Sequence, residues 1–164
     1  MTGASRASTV DGEYSWVGLQ RAARGLLGLL TLQFLLGEWV NLLGSFPGGT
    51  PSLGTAIIDG SDPALAAHVV VAVALVFLSL VVFALSNTFP SAQVRRLGGL
   101  GFVGIAGAAV GGLSFVYTGY GNAIASYLMA IFFLLAFACY GVLAGATAPP
   151  TSGETETGRG APSH

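Results

Sequence analysis

The chain has 164 residues, of which 53% are hydrophobic, only 8% are charged and 25 are glycine. A soluble domain carries about 25% charged residues, so this composition excludes a water-facing surface, and the apolar content excludes disorder for the bulk of the chain. A formal net charge of −1, with no basic cluster interleaved with aromatics, excludes a nucleic-acid partner.

In chain order, residues 1–24 carry Asp11 and Glu13 and no small-x-small cleavage site after a short apolar core. They read as a cytoplasmic N-terminal segment ahead of an uncleaved anchor, with Tyr14 and Trp16 as a short interfacial stretch. Four apolar runs follow, at about 25–45, 64–86, 97–119 and 123–145, and Glu38 is the one charged residue within them. Each is near the roughly 20 residues that a helix needs to cross the hydrocarbon layer. Backbone groups in lipid must bond within their own segment, so the runs predict an all-α, polytopic bundle of four transmembrane helices.

Asp62 followed by Pro63 is a start signal for the second helix, and Phe89-Pro90 closes it. No proline falls inside a run, so the helices should be unkinked. The third run is rich in glycine, and Gly104, Gly107 and Gly111 predict a face on which a neighbouring backbone can approach closely. Gly141-x-x-x-Gly145 offers a similar face on the fourth. Residues 146–164, rich in Pro, Thr, Gly and Ser, read as a disordered cytoplasmic tail.

Orientation follows from arginine. Arg21 and Arg24 precede the first span and Arg95 and Arg96 lie between the second and third, whereas the opposite loops hold no basic residue. A cell-membrane protein with both termini cytoplasmic is expected.

The polar residues gather in the half facing outward in this orientation. Thr31, Phe34, Glu38, Asn41 and Ser45 are spaced 3, 4, 3 and 4 apart and share a stripe expected to face protein. His68, near the start of the second helix, shares a face with Leu75, Ser79 and Ser86, while Ser114 and Ser126 flank the loop between the third and fourth. Glu38, Asn41, His68, Ser114 and Ser126 are the candidate ligand or proton site, because intramembrane ionisable groups mark sites or pathways. Each has a plainer role open to it. Glu38 and His68 can serve as interhelical hydrogen-bonders, Tyr117, Tyr120, Tyr127 and Trp39 as an interfacial belt, and Met129 as filler. The long connection of residues 46–62 could fold over the site as a lid.

Gly37-Glu38-x-x-Asn41, Ala66-Ala67-His68 and Gly112-x-x-Phe115-x-x-x-Gly119, continued by Ser126-x-x-Met129-Ala130, resemble small four-helix integral membrane proteins of prokaryotes. That resemblance implies a shared fold and no particular activity. Four-helix haem-bearing membrane proteins use paired histidines, and this chain departs from them, with His68 alone in a span and His164 in the tail. His68 with Met129 is the one ligand pair left for haem.

No nucleophile, base and electrophile come together in the pattern, so no catalytic residue is assigned and an enzyme is not expected. Cys139 is the only cysteine, and no metal site is expected. The reading is a non-enzymatic membrane protein with an outward polar pocket for a small ligand or proton, or a subunit of a membrane complex. The bilayer is its surroundings, and a membrane-protein partner or a second copy is its expected contact. The alternative is a haem- or quinone-linked redox subunit.

Overall fold

The computed structural model describes residues 4–44 and 62–146, with side chains from Trp16 onward. It contains four helices and no strand among the described residues: α1 (Ala4–Leu43), α2 (Pro63–Asn87), α3 (Ala92–Tyr117) and α4 (Ala123–Gly145). All four hold stretches long and apolar enough to span a membrane. The chain is therefore an all-helical, multi-pass integral membrane protein.

The helix starts are capped by side chains that occupy otherwise unpaired backbone donors. Asp62 accepts from the Ala64 amide at 2.8 Å with Pro63 at the first helical position, Ser91 caps α3 and Asn122 caps α4. The expected stop before Phe89-Pro90 is found, since α2 ends at Asn87. Between α3 and α4 the chain turns through Gly119 (φ 79°) and Tyr120 (φ 61°). The left-handed region suits Gly119 but costs a residue with a Cβ about 1–2 kcal/mol.

Neighbouring helices pack in a ring, α1–α2–α3–α4 and back to α1, with α3 and α4 making the most extensive seam. The inward positions repeat every 3 and 4 residues. On α1 they are Trp16, Leu19, Ala23, Leu26 and Leu30, then Gln33, Gly37, Val40 and Gly44. On α2 they are Leu65, His68, Ala72, Leu75, Ser79, Val82 and Ser86, with Phe89 just past its end. This 3.5-residue period is the signature of helices packed slightly off parallel.

The α3–α4 seam is close because α3 presents glycine. A Cβ on Gly104 would lie 2.8 Å from the Ala136 nitrogen and the Phe132 carbonyl oxygen, and one on Gly111 would lie 3.1 Å from the Ala125 oxygen. Gly107 sits under the Phe132 ring, 2.6 Å from where its own Cβ would be. Gly141 and Gly145 have nothing within 4 Å, so the second small-residue pair points away from the bundle.

Two expectations are corrected. α1 does not begin near residue 25 but is already helical at Ala4, because Trp16, Leu19 and Ala23 continue the inward period without a break. Trp16 faces the bundle. It is buried and meets Phe89 edge-to-face, with ring centroids 5.6 Å apart. The lid expected of residues 46–62 and the tail both fall essentially outside the described residues.

The core is uneven along the axis. One cluster runs from Trp16 to Leu30 on α1, with Leu75, Val82, Ile105, Ala136, Tyr140 and Leu143, and occupies the end of the bundle that carries the arginines together with the middle. Toward the opposite end only a small separate cluster of Val40 and Leu65 joins α1 to α2. At the arginine end α1 is held to α4 by side chains that bond the last carbonyls of that helix. Gln20 donates to the Ala146 oxygen at 2.6 Å and Arg24 to the Ala144 oxygen at 3.3 Å.

Candidate functional site

The contacts joining α1 to α4 climb from Gln20–Ala146 and Arg24–Ala144 to Phe34–Phe133, whose ring centroids are 6.0 Å apart. Glu38 and Asn41 continue the α1 stripe beyond Phe34, and Ala130 and Ser126 continue the α4 stripe beyond Phe133. All four are exposed. Counting along two antiparallel helices puts Glu38 about 6 Å and Asn41 about 10 Å beyond the phenylalanine pair, level with Ala130 and Ser126 respectively. The contacts described between α1 and α4 thus reach as far as Phe34–Phe133, and the polar residues beyond them on both helices are exposed.

The stripe Thr31, Phe34, Glu38 and Asn41 does not face the bundle interior. The stripe one residue earlier, Leu30, Gln33, Gly37, Val40 and Gly44, faces inward instead. In lipid, apolar character does not choose the inner face, so close fit decides, and Gly37 and Gly44 let α2 approach. A Cβ on Gly37 would lie 3.1 Å from His68 Cε1, and one on Gly44 would lie 2.6 Å from an Asp62 carboxylate oxygen.

His68 accordingly meets Gln33, with Gln33 Nε2 3.1 Å from His68 Nε2. If the amide nitrogen donates, the ring accepts at Nε2 and carries its hydrogen on Nδ1; an amide turned over would instead accept from Nε2–H. Either assignment leaves one donor and one acceptor over. Gln33 Oε1 and His68 Nδ1 are both buried without a hydrogen-bond partner among the described residues.

Sequence reasoning missed Gln33. The available signal was its place on the stripe containing Gly37 and Gly44. Glu38 has no hydrogen bond or ion pair to a described residue. The cations Arg21, Arg24, Arg95 and Arg96 lie at the other end, and Arg24 is 14 residues, about 21 Å, away along α1.

Ser114 is apart from these groups. It lines a groove of about 350 Å³ on the outer side of the α3–α4 seam, with Gly107, Gly111, Leu128 and Phe132. The structure thus pairs His68 with Gln33, leaves Ser114 in a separate groove, and shows no hydrogen bond between Glu38 or Asn41 and Ser126, all three of which are exposed. His68 Nε2 is turned to Gln33, while the Met129 sulfur packs 3.5 Å from where a Gly112 Cβ would lie. Among the described residues no three His, Cys, Asp or Glu side chains cluster as metal ligands would.

No family model matches the chain, and no curated protein and no solved structure matches it either.

Proposed function

We propose that the protein is a non-enzymatic, multi-pass protein of the cell membrane. Its arginine-free end faces outward, both termini are cytoplasmic, and it binds a small ligand at the outer part of the seam between α1 and α4. What supports this reading is that Glu38, Asn41 and Ser126, polar residues on the outer parts of α1 and α4, are exposed beyond the Phe34–Phe133 contact, with Glu38 making no bond to a described residue. Polar groups that face hydrocarbon without partners are costly, and a ligand entering sideways from the bilayer would cover them. The Gln33–His68 pair borders this region from the α1–α2 seam with an unsatisfied donor and acceptor.

Native mass spectrometry of protein extracted from its membranes tests the reading. Wild type should carry a small-molecule adduct that Ala130→Trp, which fills the seam, removes and that Ile131→Trp, at another exposed position, retains. An adduct indifferent to Ala130→Trp, or none at all, would overturn it.

A second reading, a subunit of a membrane complex, rests on the groove between α3 and α4, whose rim exposes Val110 and Ile124. A membrane partner or a second copy would lie there. The haem- or quinone-linked alternative would use His68, whose Nε2 faces Gln33 and whose Nδ1 has no partner among the described residues.

A further inference from the structure

Gln33 and His68 join α1 to α2 through polar atoms, with Gln33 Nε2 3.1 Å from His68 Nε2. The ring lies close against α1 because Gly37 has no side chain: a Cβ there would be 3.1 Å from Cε1 and 3.5 Å from Nδ1. The Gln33 backbone carbonyl also interacts with the ring, short of a full hydrogen bond. Gln33 therefore brings two acceptors to the histidine, its backbone oxygen and Oε1, and Oε1 is buried with no partner among the described residues.

A neutral imidazole carries one N–H and an imidazolium carries two. In the neutral pair the Gln33 amide donates to Nε2, which leaves Oε1 over. A proton placed on Nε2 ends that bond, since two donors then face each other. A half-turn of the terminal amide removes the conflict, because Oε1 takes the place of the amide nitrogen and accepts from Nε2–H. That torsion is broad and roughly two-fold, so the turn requires no other rotamer change. The bond it makes is charge-assisted, shorter and stronger than the neutral one it replaces.

The neighbouring charges suit an imidazolium. From α1 the ring meets Gln33 and Gly37, and Glu38 next to them is on the exposed face with no bond to it. α2 has no other ionisable group, and Asp62 ahead of it caps Ala64, six residues or about 9 Å from His68. The described arginines of α1 and α3 are at the opposite end, and α4 carries no charged residue. Tyr117, Tyr120 and Tyr127 near the α3–α4 turn are phenols that stay neutral at physiological pH. Both charges at this end of the bundle are thus negative. His68 is half-buried and about 7 Å from the start of α2, within reach of protons from that surface.

We propose that His68 is a proton-binding site whose charge is read by Gln33. Its side-chain amide turns over when the ring gains a proton from water at the arginine-free end, so the α1–α2 contact is a neutral hydrogen bond in one state and a charge-assisted one in the other. The site lies in the α1–α2 seam and does not depend on a ligand between α1 and α4.

Nuclear magnetic resonance of the full-length chain in neutral maltoside micelles, with nitrogen-15 in histidine rings and glutamine side chains, tests this. His164→Asn leaves His68 as the single ring observed. Between about pH 4.5 and 8.5, two standard deviations either side of the usual histidine midpoint, the ring should pass from one protonated nitrogen to two. The Gln33 amide signals should move with the same midpoint, while those of Gln20 and Gln93, at the arginine end, should not follow it. In Gln33→Leu the proton affinity of His68 should fall at least about threefold, because the imidazolium loses a stronger bond than the neutral ring does. A ring that keeps one charge state over this range, Gln33 signals that stay still while it titrates, or an affinity unchanged in Gln33→Leu would overturn the inference. Should Gln33→Leu fail to fold, the shared midpoint in the Gln33 chain decides alone.

Discussion

Gly104→Ala isolates what close helix approach contributes. The added Cβ would lie 2.8 Å from the Ala136 nitrogen and the Phe132 oxygen, and 3.0 Å from the Ala136 Cβ. Ordinary carbon contacts begin near 3.5 Å, so α3 and α4 would have to separate by about 0.7 Å, and two of the obstructing atoms are backbone that no rotamer change can move. Overpacking of this kind costs about 1–3 kcal/mol, partly offset by up to about 1 kcal/mol from replacing a helical glycine by alanine.

Two relatives of the substitution separate these effects. Gly141→Ala meets nothing within 4 Å and should show the alanine gain alone. Gly107→Ala meets the Phe132 ring, a side chain able to turn, and should fall between. Reversible unfolding in mixed micelles, followed by circular dichroism, should rank stability as Gly141→Ala, then Gly107→Ala, then Gly104→Ala. Should Gly104→Ala prove as stable as Gly141→Ala, the α3–α4 backbones do not approach as described and the packing argument fails.

Gln33→Leu and His68→Leu should be non-additive in a double-mutant cycle, with a coupling of about 0.5–2 kcal/mol. Glu38→Gln and His68→Ala should add, because Glu38 makes no bond to the ring; unfolding free energies in micelles distinguish the two results. Asp62→Ala should destabilise by about 1 kcal/mol through loss of the cap on Ala64, measurable as a lowered melting temperature. After removal of Cys139, a cysteine near Ser52 should react with an impermeant maleimide in intact cells and one at Gln93 only after permeabilisation, with the reverse pattern refuting the orientation.

The four spans, the Asp62-Pro63 start and the glycine face of α3 were legible in the sequence because each depends on local chemistry. Length and apolarity dictate a helix in lipid, a carboxylate before proline satisfies open amides, and only glycine permits 2.8 Å backbone proximity. The apolar character of residues 25–45, with Glu38 as their one charge, marked a span but not where its helix begins, since Trp16, Leu19 and Ala23 extend it only by virtue of partners on other segments. The inward face of α1 was likewise undetermined locally. Two stripes offset by one residue share the same 3 and 4 spacing, about 100° apart around the helix. Lipid gives no hydrophobic reason to prefer Leu30, Gln33, Gly37 and Val40 over Thr31, Phe34, Glu38 and Asn41. Tertiary fit decided it: Gly37 accommodates the His68 ring, Gln33 bonds it, and Glu38 is thereby left on the exposed face of α1.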